Sequence, residues 1–341
     1  MYREKIAATL FVMSLTALPS RASSLQVYAG VVAGTNTCSS DGATPTAITN
    51  FFGTDTTGFG LPLTGNGISS CGLSGQINNI TMPAGPLNTA YNLNNAGFVT
   101  GANYSGMASA YANYGFVDAS TSATLNGLAG GTGLAEAVAF GIASDTFNIP
   151  GTGSGFIAFD FGYNATTMVG TPADGGATQT QVEVQIGNTN EEVFSATVSG
   201  TVANVQGEEE DPMGQVVFGE PVPGCVTATA MYTCTNASFE SSELPIEFGV
   251  ATTIAFGLLT AQQEDDSQTI NTDPPLSLDG IQVYNASGQE ISDFTIQSGS
   301  GAVYGADGIE SEPANTPEPS TLLLAGLGLV ACGGVRRRRN R

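Results

Sequence analysis

Between Asn103 and Gly299, large apolar residues recur at every second position. Ile157, Phe159, Phe161 and Tyr163 alternate with smaller or polar residues, and Val182, Val184 and Ile186 alternate with Glu183 and Gln185. The longest run is Ile246, Phe248, Val250, Thr252, Ile254, Phe256 and Leu258. Its other row carries Glu247, Gly249, Ala251, Thr253, Ala255 and Gly257. A two-residue period places one row on a buried face and the other toward solvent, so these are predicted strands, with Glu183 and Glu247 facing water. No segment repeats apolar residues three and four apart over three turns, as an amphipathic helix requires. Leu25–Val32 reads as a further strand. Leu276 to Ile296 reads as a hairpin with a bulge at Asp279-Gly280, a turn at Asn285–Gly288 and a return strand from Ile291. Roughly ten strands separated by turn-forming residues predict an all-β fold, an antiparallel β-sandwich of jelly-roll-like type.

The pattern weakens toward both ends and divides the chain. Residues 23–102 are rich in Gly, Asn, Thr and Ser, with loops expected at Asn36–Thr49 and Gly58–Gly75. Residues 103–300 form the expected sandwich, and residues 301–316 a linker. The whole is long enough for one large sandwich, or for a small bridged N-terminal part packed onto one. Met1–Ala22 has a basic start (Arg3, Lys5), an apolar core from Ile6 to Leu18, and Pro19 ahead of Ser20-Arg21-Ala22. That is a signal peptide over residues 1–22, with signal peptidase expected to cut before Ser23.

The last stretch, residues 317–341, has three parts: Pro317-Glu318-Pro319, an apolar run Leu322–Val335, and the basic cluster Arg336, Arg337, Arg338 and Arg339. The apolar run is a little short of the ~20 residues that span a bilayer, and in lipid it can satisfy its backbone only as a helix. Arginines directly after it hold that end on the cytoplasmic side. This layout resembles the PEP-CTERM sorting signal of Gram-negative bacteria. The resemblance covers about the last 25 residues. It implies a short transmembrane helix recognised and removed by an exosortase, a transient inner-membrane anchor, and delivery to the cell surface or extracellular space. It also implies company with exopolysaccharide or biofilm systems. Stretches around Ala112–Gly115, Asp145–Gly155 and Leu276–Gly299 are weakly similar to the bodies of other PEP-CTERM proteins and carry no site residues.

With both ends set aside, the charge picture changes. All eight Lys and Arg lie in the two end segments, and the chain has no His. Of the 30 acidic residues only Glu4 and Glu318 fall outside Ser23–Thr316, which leaves that span at a formal −28. It cannot form a side-chain salt bridge with itself. Nucleic-acid binding is excluded, because phosphate contacts need cationic side chains. The membrane is met only through the tail before processing. Without His or Lys there is no Ser-His-Asp triad, imidazole metal ligand, P-loop or Schiff base. Carboxylates, hydroxyls, Tyr and backbone dipoles remain for catalysis, and a carboxylate pair of the glycosidase kind stays open in principle.

Cys38, Cys71, Cys225 and Cys234 make an even set in an exported span, so disulfides are expected. The least demanding of the three pairings is Cys38–Cys71 with Cys225–Cys234. Two acidic knots, Glu208-Glu209-Glu210-Asp211 and Glu264-Asp265-Asp266, fall where the strand pattern lapses and read as loops. Clustered hard oxygens in a span without cations make them calcium candidates, although no EF-hand loop or glycine-aspartate repeat is present. No other cofactor is expected. Tyr91, Tyr104, Tyr111 and Tyr114 could form an aromatic cluster, which alternation explains equally well as core. The expected function is a non-catalytic surface or extracellular-matrix β-sandwich protein, with extracellular polysaccharide as a potential partner. The alternatives are a lectin-like carbohydrate-binding module and a secreted carboxylate-dependent hydrolase.

Overall fold

The computed structural model describes residues 23–35, 51–52, 76–82, 86–96, 103–126, 133–169, 177–199, 201–210, 216–264, 269–272 and 275–312. The signal peptide, Cys38, Cys71, Asp211, Asp265, Asp266 and the sorting segment with its expected helix lie outside them. Among the described residues no helix is long and apolar enough to cross a membrane. Twenty strands are present among those residues, about twice the number expected. The chain begins with β1 (Ser24–Thr35), β2 (Gln76–Met82), β3 (Leu87–Ala96), β4 (Asn103–Asn113) and β5 (Phe116–Asn126). Next come β6 (Gly133–Phe147), β7 (Gly153–Val169), β8 (Ala177–Ile186), β9 (Thr189–Ser199) and β10 (Val202–Glu210). Then follow β11 (Val216–Glu220), β12 (Cys225–Ala228), β13 (Met231–Glu240), β14 (Leu244–Phe248) and β15 (Thr252–Glu264). The last are β16 (Thr269–Thr272), β17 (Pro275–Asn285), β18 (Ile296–Gln297), β19 (Val303–Gly305) and β20 (Gly308–Ser311).

Every pairing is antiparallel, and the strands form two large sheets packed face to face. The first runs β11-β10-β9-β8-β15-β6-β1-β2. The second runs β12-β13-β7-β16-β5-β4-β3, with β14 and β17 also paired to β7. Where β4 and β5 lie over β6 and β1, the facing residues are small: Ala108, Ala110 and Ala112 against Ala137, Ala139 and Ala143. A Cβ at Gly141 of β6 would stand 2.6 Å from the Tyr111 carbonyl oxygen, so the close approach there requires glycine. Farther along, the interior is aromatic. Phe161, Tyr163, Phe194, Phe239 and Phe256 meet with ring centroids 4.6–6.2 Å apart. Such pairs add directional contacts to the burial of large apolar area.

A second apolar layer covers the outer face of the first sheet. Phe51 and Phe52 pack there on Tyr28, Val138, Phe140, Ile142, Ala255, Leu259 and Ala261. The part read as loop-rich therefore contributes β1, β2 and β3 to the sheets and this cover as well. Residues 303–311, expected to be linker, form β19 and β20, which with β18 make a small third sheet. The expected hairpin is only half formed. The bulge at Leu278/Gly280 is present, and the Asn285 side chain accepts the Ser287 and Gln289 amides across the turn. Ile291 then pairs only briefly with Val283, and the return strand is replaced by β18 in the third sheet.

The long run from Ile246 to Leu258 is not one strand. β14 belongs to the second sheet and β15 to the first, and the chain crosses between them at Gly249 to Ala251. The alternation survives because both halves point into the same interior from opposite sides. Val250 at the corner is 46% exposed. Gly249 sits at φ +75°, its amide donates to the Ile149 carbonyl at 2.8 Å, and a Cβ there would stand 2.8 Å from the Gly151 oxygen. Replacing Gly249 by Ala should therefore lower the unfolding free energy by ~1–3 kcal/mol. Denaturant titration measures this, and an unchanged midpoint would refute a required left-handed corner.

Candidate functional site

The acid that stands out is Glu183, on the outer face of β8. Alternation does put it opposite Val182 and Val184, but it does not face water: it is only 5% exposed. The reason is the second apolar layer. Asn190 donates to the Phe51 carbonyl at 2.8 Å, and Phe51 lies against Gly257, the β15 partner of Glu183. The cover thus extends over the polar row of β8. Glu247, by contrast, is exposed as expected. Gln181 Nε2 donates to Glu183 Oε1 at 2.7 Å, and Glu192 is the cross-strand partner on β9. Burial first and the Glu192 carboxylate second push the Glu183 pKa up to about 8. A protonated carboxyl beside a second carboxyl is the electrostatic half of a general-acid arrangement. What it lacks is access, because the acid is buried under a packed layer.

Two other carboxylates organise polar clusters. Asp145, near the end of β6, is 4% exposed. It accepts Ser23 Oγ at 2.6 Å, the Thr146 amide at 2.7 Å, the Ser300 amide at 3.0 Å, Ser300 Oγ at 2.5 Å and Tyr304 Oη at 3.3 Å. With Tyr114, Tyr304 and apolar neighbours it lines a cavity of about 10 Å³, room for roughly one water molecule. On the outer face of the second sheet, Gln282 donates to Asp160 at 3.2 Å and accepts from Tyr284 Oη. Burial, opposed by the Gln282 hydrogen bond, raises the Asp160 pKa above the ordinary range, with Asp279 adding to the rise. The Tyr284 pKa is pushed up to about 12 by burial and then by Glu240, Glu243, Glu290 and Asp160.

The residues singled out by sequence fall as follows. Cys225 and Cys234 are bonded, as directly opposed residues of β12 and β13. Glu208, Glu209 and Glu210 are not in a loop. They end β10 and pair with β11, with a register shift at Gly207/Glu208 that explains why alternation lapses there. Glu264 ends β15. The ladder aligns Gly207 with Phe194, Val182 and Leu258, so Glu264 lies six residues farther along its strand. At ~3.3 Å per residue that is about 20 Å, too far for Glu208–Glu210 and Glu264 to share an ion. Among the described residues no three acidic or cysteine side chains are placed to hold a metal. Tyr114 is fully buried, while Tyr111 is half-buried and packs on Phe116, so these two make no common platform.

Sequence reasoning missed Glu183 as a buried acid and Asp145 as a hub. The adjacent Phe51-Phe52 pair in a polar stretch was the available sign of a second layer. For Asp145 the partners other than the adjacent Thr146 lie 122 to 159 residues away, and no local pattern announces them.

Residues 315–339 match the family model of the PEP-CTERM protein-sorting motif. No curated protein and no solved structure is significantly similar to the chain. The matched span contains Pro317-Glu318-Pro319, the apolar run and Arg336–Arg339. It marks the chain for export and for exosortase-dependent sorting to the cell surface.

The raised pKa of Glu183 has a signed consequence for stability. Unfolded, this carboxyl ionises near 4.5; folded, it stays protonated to about pH 8. Its contribution is therefore greatest below the unfolded value and is lost as pH rises through about 8. Glu183→Gln should remove that loss, gaining on the order of 2–4 kcal/mol over the parent at pH 9 and little at pH 4. Urea titration at both pH values tests this, and a parent–variant difference that is the same at both would refute a neutral buried acid.

Proposed function

We propose that the body is a non-catalytic structural component of the cell surface or of an extracellular polysaccharide matrix, freed at both ends during export. The sorting motif at residues 315–339 carries this reading. The sandwich supports it: Glu183, whose pKa is pushed up to about 8, is packed away from solvent. Signal peptidase removes residues 1–22 and exosortase removes the tail, leaving a span with no cationic side chain. Such a span is soluble, repels anionic lipid and nucleic acid, and offers backbone, hydroxyl and amide groups to hydrated polymers.

Intact-mass measurement of the exported protein should give a start at Ser23 and an end near Pro317–Ser320. That product should resist trypsin even when denatured, because no Lys or Arg remains. Recovery of Arg336–Arg339 in the mature protein would overturn the reading.

A carbohydrate-binding reading is favoured by one feature, the row of Tyr284, Gln282 and Asp160 on the outer face of the second sheet. Sugar sites combine an apolar ring face with a few fixed polar groups. A structural component should give no saturable signal on a glycan array. Saturable binding that disappears in Tyr284→Ala would put the lectin-like reading first.

A further inference from the structure

Ser23 and Asp145 are brought together in two independent ways. The ladder pairs Ser24 with Ser144 and Leu25 with Ala143, so the next position along sets Ser23 opposite Asp145. The side chains also meet, Ser23 Oγ donating to Asp145 Oδ1 at 2.6 Å, and both residues are buried. Covalent geometry keeps the backbone nitrogen of a serine about 3 Å from its own Oγ, so the Ser23 nitrogen lies within roughly 6 Å of the carboxylate. Ser23 is also the residue at which the leader is expected to be cut.

We infer that the α-ammonium created by cleavage between Ala22 and Ser23 is the counter-ion of Asp145, so that removal of the leader completes an ion pair inside the fold. This rests on the reading of Met1–Ala22 as a cleaved signal peptide. Before cleavage the Ser23 nitrogen is a neutral amide, and the nearest cation in sequence, Arg21, departs with the leader. Afterwards the ammonium is the only formal positive charge in Ser23–Thr316. It arises beside a carboxylate that is 4% exposed and otherwise held by neutral donors. An opposite charge within about 6 Å favours the charged form of both partners.

The pair ties the two processed ends to each other. Ser300 and Tyr304, which hold Asp145 from the other side, belong to the third sheet, Ser300 in the turn between β18 and β19 and Tyr304 on β19. That sheet ends a few residues before the sorting motif at 315–339. Gly299 closes over the same spot: its amide donates to the Thr146 carbonyl at 2.8 Å, and a Cβ on it would stand 3.0 Å from Ser23 Oγ. The start of the first strand is thus clamped to the last sheet through one carboxylate. The other titratable groups facing the pair are Tyr114 and Tyr304, both pushed upward and neutral at physiological pH, with Glu312 beyond them. The ammonium pKa should therefore be raised, and its stabilisation should be lost as pH climbs through that raised value.

The test uses the chain from Ser23 onward, released from a fusion by a protease that leaves no extra residue. A second form retains Ala22, and both are made with Asp145 and with Asp145→Asn. The α-amino pKa, read from the pH dependence of amine acetylation, should lie at least one unit above the ordinary ~7.8 in the Ser23 form. It should return toward the ordinary value when Ala22 is retained. The Ser23 form should also melt at least about 3 °C higher than the Ala22 form, and Asp145→Asn should abolish that difference. If Asp145→Asn does not fold, the comparison of the Ser23 and Ala22 forms still decides. An ordinary amine pKa, or equal melting points, overturns the ion pair. N-terminal sequencing of the exported protein separates the two claims, because a start other than Ser23 overturns the maturation role even where the recombinant ion pair forms.

Discussion

The absence of cationic side chains between Ser23 and Thr316 is the constraint from which most of the polar structure follows. A carboxylate withdrawn from water and left unpaired costs several kcal/mol, and no Lys or Arg is available to pair with it. The fold answers in two ways. Asp145 is surrounded by hydroxyl and amide donors, and Glu191 accepts both the amide and the hydroxyl of Ser242 at 2.6 and 2.7 Å. Asp160 takes the Gln282 amide, and Glu312 takes Asn113 Nδ2 at 2.9 Å. Hydrogen bonds to a charged acceptor contribute about 1.5–3 kcal/mol each, so two or three offset a substantial desolvation cost. Glu183 takes the other course and stays protonated to about pH 8. The abundance of Ser, Thr, Asn and Gln therefore does structural work that Arg and Lys do elsewhere.

The same constraint shapes where apolar material can go. A sheet with no charged pairs to cover its outer face either leaves that face to water or buries it under more chain. The first sheet does the second. Phe52 packs edge-on against Phe140, itself stacked on Tyr28, and Phe51 packs edge-on against Phe52, converting what alternation marks as an outer row into a second interior. Once that layer exists, Gln181 and Glu183 on the neighbouring strand are taken out of water with it. The buried acid is a consequence of the cover, and the cover comes from a part of the chain that reads as loops.

This separates what the sequence could and could not reveal. A two-residue period reports that a residue lies on a strand and which row it shares, and on that basis the antiparallel sandwich and its core rows were legible. The period does not report which sheet a strand joins, so Ile246 to Leu258 looks like one strand although Gly249 carries it from one sheet to the other. Nor does it report what lies over the second row, which is why Glu183 and Glu247 look alike in sequence and differ in burial. Glu208–Glu210 mislead in the opposite direction. A register shift at Gly207 breaks the alternation without breaking the strand. The Cys225–Cys234 pairing was legible because it is local. The Asp145 cluster was not, because each distant partner arrives by topology alone.

Large antiparallel sheets carry an association hazard that the charge balance also addresses. Among the described residues, the first main sheet ends on β11 and β2, and the path of the second ends on β12 and β3. Unpaired edge N–H and C=O groups template pairing with a neighbouring copy unless something opposes approach. Proteins usually blunt such edges with Lys, which this body does not contain. A uniformly anionic surface is the alternative. At a formal −28, two copies repel over roughly a Debye length of about 8 Å at physiological salt. That distance exceeds the 4.7–4.9 Å spacing at which strands pair, so repulsion acts before edge hydrogen bonds can form. The composition that rules out salt bridges between side chains of the body thereby also protects its sheets from one another at the cell surface.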